Sequence, residues 1–217
     1  MKGLIVFDMD GTLVEESSSW NLVYRAYGIE KRAMENFATF CDGKIDYEGL
    51  VRRTVEDLRV AGANRQGVLR ALSSYKLKSG GIEAVSKAAS LGWRAAIVSA
   101  GLCPLAQAVG SALGIGIIRC NDLKYDDEGR VLGAVVQVDP GRKWEAVRDV
   151  MSEVGTPELG VVTVGDHPMD GSMFMSSDHF VVIGAGPLEF LDTRGARVSS
   201  LEEIPGLIEK WYGKEEA

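Results

Sequence analysis

Four short apolar runs stand out along a mostly mixed chain: LIVF at 4–7, AAIVS at 95–99, GVVTVG at 160–165 and HFVVIG at 179–184. Each has the length and β-branched content of a strand covered on both faces. Between the later runs the apolar period lengthens to that of a helix. GIEAVSKAASLGW sets Ile82, Val85 and Ala89 on one stripe, and KWEAVRDVMSEVG sets Trp144, Val147, Val150, Met151 and Val154 on another before stopping at Gly155. Strands alternating with helices predict a parallel, doubly wound α/β sheet.

Two segments break the alternation. Residues 15–78 are rich in helix formers and aromatics and hold no persuasive strand, so they read as a helical insertion, leaving 1–14 and 79–217 as the core domain. The stretch NDLKYDDEGRVLGAVVQVD has a turn signal at Asp127-Glu128-Gly129 followed by alternating residues, and predicts a β-hairpin.

A length of 217 residues suits one core domain with a sizeable insertion, and 46% hydrophobic with 25% charged residues is ordinary globular composition. Disorder is expected only in the GKEEA tail. The net charge of −7, without a dense basic run, argues against nucleic acid as a partner. Cys41, Cys103 and Cys120 are isolated and lack a C-x-x-C pair, so they read as core thiols of a protein in a reducing compartment. No apolar run approaches the ~20 residues of a membrane span, and GLIVF is too short for a signal peptide. A soluble, cytoplasmic protein with no membrane partner is the expectation.

Ligands of open parallel sheets bind beyond the carboxyl ends of the strands. There the sequence places Asp8 and Asp10 after the first run, Ser99 and Gly101 after the second, and Asp166 and Asp170 after the third, with Lys143 opening a helix after the hairpin. Carboxylates so gathered repel, each pair at ~4 Å by about 4 kcal/mol at an effective dielectric near 20. A hard divalent cation relieves this, and an oxygen-only donor set favours Mg²⁺.

The residues then fit phosphoryl transfer. Asp8 attacks phosphorus to form an aspartyl phosphate, and Asp10 protonates the leaving oxygen and later activates water. Ser99, the backbone N–H groups around Ala100 and Gly101, and Lys143 hold the phosphoryl oxygens. Gly11 permits a sharp exit from the strand, and Thr12 is expected to fix Asp10 within the turn.

DMDGT, IVSAG, Lys143 and GDHPMD, in that order, resemble the motifs of the haloacid dehalogenase superfamily of aspartate-nucleophile phosphatases. The resemblance covers nearly the whole chain. It implies a Rossmann-like core and a helical cap inserted after the first motif. It also implies a Mg²⁺ bound by Asp8, the Asp10 backbone carbonyl and Asp166, with Asp170 in support. The presence of Asp10 is similar to the phosphatases and mutases, since the dehalogenases lack that acid. FCDGKIDYEGLVRRTVEDL is similar to the phosphoserine phosphatase branch, where an arginine matching Arg52 meets the substrate carboxylate. The chain departs from that branch at Ser17, which stands where the branch has a substrate-binding glutamate. Ala100 and Met169 depart from its S-G-G and G-D-G-x-N-D motifs.

A phosphatase of a small phosphorylated metabolite is the leading expectation. A phosphomutase, or a receiver-type signalling domain holding an aspartyl phosphate, are the alternatives. His167 reads as exposed and His179 as structural, and GIGIIRC and GAGPLEF read as turns. Trp20, Phe37, Phe40 and Tyr47 read first as the core of the helical insertion and second as a substrate cage, and Arg52 and Arg53 as a substrate contact or a solvated pair.

Overall fold

The first apolar run forms β1 (Gly3–Phe7), all five residues of which are buried. The computed structural model describes residues 1–155, 157–184 and 194–213. On either side of β1, and parallel to it, lie β2 (Trp93–Leu102) and β5 (Gly160–Gly165), so that Ile5 faces Ala95 on one side and Val162 on the other. With β3 (Ile117–Tyr125), β4 (Val131–Val135), β6 (His179–Ile183) and β7 (Gly195–Val198) the sheet runs β4-β3-β2-β1-β5-β6-β7. Among the described residues only β4 is antiparallel, pairing with β3 as the predicted hairpin across Asp127–Gly129.

Alternate β1 side chains feed two cores, as the strand period of two requires. Ile5 and Phe7 pack with residues of α5 (Gly81–Ser90), α6 (Cys103–Leu113) and α9 (Ile204–Tyr212). Leu4 and Val6 pack on the other face with α7 (Lys143–Val154) and α8 (Gly171–Phe174). This is the Rossmann-like, doubly wound α/β arrangement that the alternation predicts.

Between β1 and α5 the chain forms α1 (Ser19–Tyr27), α2 (Glu30–Cys41), α3 (Tyr47–Val60) and α4 (Arg65–Leu72). Asp46 and Asn64 start α3 and α4 by accepting from the backbone N–H of Gly49 at 2.8 Å and Gly67 at 3.0 Å. The segment leaves and rejoins the sheet at one place, where Glu15 N donates to Lys76 O and Lys78 N to Leu13 O, each at 2.9 Å.

Several local expectations need correction. In α5 the buried face is Gly81, Ala84, Val85 and Ala88, while Ile82 is 55% exposed and Ala89 also faces solvent. Three of those four are glycine or alanine, too weakly hydrophobic to mark the face in the sequence, and only Val85 does so. GIGIIRC is a turn only at its glycines: Gly114, at φ 74°, caps α6, and Ile117 to Cys120 already belong to β3. β7 lacks a strong apolar run and was not expected. Cys103 and Cys120 are not free thiols but form a disulfide, with Cα atoms 5.1 Å apart, tying the start of α6 to β3; Cys41 is free and exposed. That pairing withdraws the thiol argument for a reducing compartment. Most of GAGPLEF and the end of the GKEEA tail lie outside the described residues. Among the described residues no helix is long and apolar enough to cross a membrane.

Candidate active site

β1 ends at Phe7, and the chain delivers Asp8 at the centre of the sheet edge. There the backbone N–H of Asp8 still pairs with Val164 O of β5 at 2.8 Å. Gly11 turns the chain away at φ 78°, and a Cβ at that position would lie 2.3 Å from Asp166 Oδ2. Only glycine fits both the left-handed backbone and the close approach.

Lys143, the first residue of α7, reaches in from the opposite side. Its Nζ donates to Asp8 Oδ1 at 2.5 Å and to Asp170 Oδ1 at 2.6 Å, with all three side chains almost sealed from solvent. Asp170 Oδ2 accepts the backbone N–H groups of Asp166 and His167, each at 3.0 Å, which locks the loop after β5. One carboxylate oxygen each from Asp8, Asp166 and Asp170 lie within 4.8 Å of one another. An all-oxygen cluster of this kind suits a hard divalent cation.

Burial shapes the protonation of these groups. It pushes the Asp8 carboxyl well above the usual carboxylate range, against the pull of Lys143. Burial opposes the charge on Lys143, yet Asp170 and Asp8 outweigh it and leave the ammonium harder to deprotonate than usual. Asp166 is raised by burial, with the Thr12 hydrogen bond working the other way. Asp10 is pushed up to about 6, by burial above all, although two hydrogen bonds from Ser19 oppose the rise.

Thr12 does not fix Asp10. Its hydroxyl donates to Asp166 Oδ1 at 2.7 Å, across the site. Asp10 is instead held by Ser19 at the start of α1, whose backbone N–H and hydroxyl donate to Asp10 Oδ2 at 2.9 and 2.8 Å. Asp10 Oδ1 is buried and has no hydrogen-bond partner. The end of β2 completes the floor. Ser99 is 1% exposed, and its Oγ accepts from Gly101 N at 3.0 Å, while Leu102 N donates to Ser19 Oγ at 3.0 Å. The N–H groups of Gly101 and Leu102 are therefore engaged by protein. Ala100 presents its carbonyl to Trp20 Nε1 and Asn121 Nδ2, both at 3.0 Å, and to Tyr47 OH at 3.3 Å.

Above this floor opens a cavity of about 590 Å³ whose lining includes Asp8, Asp10, Ser99, Ala100, Lys143 and Asp170 below and residues of α1, α2 and α3 above. Arg52 is not in it. Tyr47, Leu50, Val51 and Thr54 form the face of α3 that lines the cavity, and Arg52 lies on the exposed side. The guanidinium at the cavity wall is that of Arg25 on α1. Trp20, Phe37 and Tyr47 line the cavity too, so they are walls of the site rather than a separate core.

A model of haloacid dehalogenase-like hydrolases matches residues 5–175, a span running from β1 to just past α8. The chain belongs to that family. It is 28% identical over 189 residues to a probable phosphoserine phosphatase of Schizosaccharomyces pombe, covering 86% of this chain and 62% of that protein, under two thirds of its length. It is likewise 28% identical to a phosphoserine phosphatase of Idiomarina loihiensis, over 96% of this chain and 94% of the relative. A solved structure of a phospho-aspartyl intermediate analogue of phosphoserine phosphatase superposes with a TM-score of 0.80 at 25% identity, covering 95% of this chain and 98% of that one. These relatives agree with the expected class, a phosphoric monoester hydrolase.

In this haloacid dehalogenase-like hydrolase, some site residues left little trace in the sequence. Asn21 and Arg25 line the cavity at spacing i, i+4, one polar face of α1 that is legible in principle, and Ser17 joins them from just before the helix. Asn121 is 1% exposed; its Nδ2 lies within 3.0 Å of Tyr47 OH, Ala100 O and Val138 O, and its Oδ1 accepts from Gln137 N and Val138 N. Lys78 donates to Gly11 O and so braces the turn beside the nucleophile candidate. His167 is exposed and accepts from Met169 N through Nδ1, a capping role. His179 stacks on Trp211 at 4.3 Å.

Proposed function

We propose that the protein is a Mg²⁺-dependent phosphatase of a small phosphorylated metabolite, with Asp8 as nucleophile and Asp10 as general acid and base. One observation above all supports it: Asp8 after β1, Lys143 at the start of α7, and Asp166 with Asp170 after β5 come together, and Asp8, Lys143 and Asp170 line one cavity.

A carboxylate oxygen of Asp8 attacks phosphorus in line, the bond to the leaving oxygen breaks, and Asp10 delivers its proton to that oxygen. In the second half Asp10 takes a proton from water, whose oxygen attacks phosphorus and releases Asp8. The unpartnered Asp10 Oδ1 and its raised pKa, about 6, suit a group that holds a proton near neutrality and parts with it. Lys143 keeps Asp8 oriented and offsets negative charge when a phosphate enters. The Ser99 hydroxyl and the backbone at Ala100 are the remaining contacts for phosphoryl oxygens. Thr12 acts through Asp166, which it orients.

Asp8 and Asp166, with the Asp10 carbonyl, would hold the Mg²⁺, and Asp170 would support them. When bound, the ion supplies positive charge against the phosphoryl oxygens. Residues 15–78 serve as a cap over the core, excluding water when substrate is present. The relatives named for phosphoserine support the reaction class. Ser17 and the outward Arg52 argue for a different organic portion.

Hydrolysis of acetyl phosphate and p-nitrophenyl phosphate, measured with and without Mg²⁺, tests the proposal. Asp8→Asn is expected to abolish turnover, and Asp10→Asn to accumulate protein phosphorylated on Asp8, visible by intact mass after acid quench. Undiminished hydrolysis by Asp8→Asn would end it.

A further inference from the structure

We infer that the substrate is a phosphate monoester whose alcohol carries an apolar body the size of a ring, seated against α2, Trp20 and Tyr47. This rests on the phosphatase reading, which fixes the phosphoryl group at Asp8 and leaves its organic part the cavity above.

α2 turns Glu30, Ala33, Met34 and Phe37 toward that cavity, at spacing i, i+3, i+4, i+7. Such a stripe ordinarily packs into protein. Here no residue of α2 is buried, and Met34 and Phe37 are 69% and 45% exposed. The helix is fastened to α3 elsewhere: Arg32 and Asn36 reach the buried Asp57 at 2.7 and 2.8 Å, and Phe40, beside Phe37, meets Tyr47 edge-on with centroids 6.1 Å apart. The apolar part of that stripe, Ala33, Met34 and Phe37, thus faces the cavity that Asp8 and Asp10 also line, where covering it with apolar ligand surface is favourable.

The other walls agree. The polar atoms of Trp20 and Tyr47 are engaged by Ala100 O, so these residues offer a ligand mainly their ring surfaces. Arg25 and Glu30, of opposite charge, stand exposed at the rim, where solvent screens them. A zwitterionic amino acid finds no enclosed pair of charges there. A cavity of about 590 Å³ is also in the range that takes ligands of drug size, roughly 300–1,000 Å³.

Steady-state kinetics with phenethyl phosphate, ethyl phosphate and phosphoserine test this, because the first two differ only by the ring. The expected kcat/KM for phenethyl phosphate exceeds both others by about tenfold or more, the worth of one ring removed from water. Phe37→Ala is expected to lower the phenethyl-to-ethyl ratio severalfold through KM. Leu132→Ala, an exposed apolar residue on β4, should leave that ratio unchanged.

A phenethyl-to-ethyl ratio near one, or a preference for phosphoserine, overturns the substrate class while acetyl phosphate turnover that depends on Asp8 leaves the phosphatase reading standing. Equal acetyl phosphate hydrolysis by wild type and Asp8→Asn removes both. A change of oligomeric state in Phe37→Ala by light scattering, with the ratio unmoved, would show that a second copy of the chain covers the stripe, and would also overturn the inference.

Discussion

The ammonium of Lys143 lies 2.5 Å from Asp8 Oδ1, and each side chain is only 6% exposed. A buried ion pair of this kind is costly to break from one side, because the remaining charge is left without water or partner. Lys143 also holds Asp170, so removing it strands two carboxylates.

Lys143→Met is therefore expected to destabilise the metal-free protein by about 3–5 kcal/mol, lowering the melting temperature by roughly 6–20 °C. A divalent cation should restore part of that loss by taking over the charge of the carboxylates. Calorimetry of the variant with EDTA and with Mg²⁺ checks both halves; a melting temperature equal to wild type in EDTA would show that Lys143 does not compensate Asp8 and Asp170.

Gly11 and Gly62 offer a controlled comparison. Both have positive φ, 78° and 71°, so alanine costs each a similar backbone strain of about 1 kcal/mol. A Cβ at Gly62 meets nothing within 4 Å, whereas one at Gly11 would lie 2.3 Å from Asp166 Oδ2. Gly62→Ala should lose a few degrees of melting temperature and keep its activity. Gly11→Ala should in addition weaken divalent-cation affinity about 10–100-fold, as displaced support around ligands does. Titration of Mg²⁺ against activity separates the two.

The Cys103–Cys120 bridge closes a loop across a sequence separation of 17. On the chain-entropy account such a loop is worth about 3 kcal/mol. Reduction with dithiothreitol, or Cys103→Ala, should lower the melting temperature by roughly 6–12 °C. Identical melting curves in oxidising and reducing buffer would show that the bridge adds nothing to stability.

The sheet was legible because β1, β2, β5 and β6 are buried on both faces and so nearly all apolar, a pattern that survives without neighbours to interpret it. β7 was not, since Gly195–Val198 carries a single buried residue, Val198. Asp8, Lys143, Asp166 and Asp170 were legible as a group because each sits just past a strand or at the start of a helix. What hid were relationships rather than residues. Thr12 and Asp166 are 154 positions apart, and nothing local tells the Thr12 hydroxyl to prefer that partner over Asp10. Arg52 matched a motif, but the rotation of α3 about its axis decides which residues look inward. Cys103 and Cys120 became a pair only once α6 lay beside β3. Asn121 carries no signal at all, being one polar residue in a strand whose bonds are made by tertiary contact.

Asp10 gives a pH dependence whose sign follows from its environment. Burial raises its pKa from 3.8 to about 6 in the folded protein. Between those values the folded state binds a proton that the unfolded chain has already lost. Stability therefore falls as pH rises through that window: the contribution is fully present below the unfolded value and is gone above the folded one. The upper limit is about 3 kcal/mol, and partial exposure of the residue reduces it. Asp10→Asn removes the titration while keeping a carbonyl oxygen to accept from Ser19. In EDTA, the melting temperature of wild type relative to Asp10→Asn should decline as pH rises from 4 to 7. A difference that stays constant over that range would mean that Asp10 titrates in the folded protein as it does in the unfolded chain, and would remove the basis for its holding a proton near neutrality.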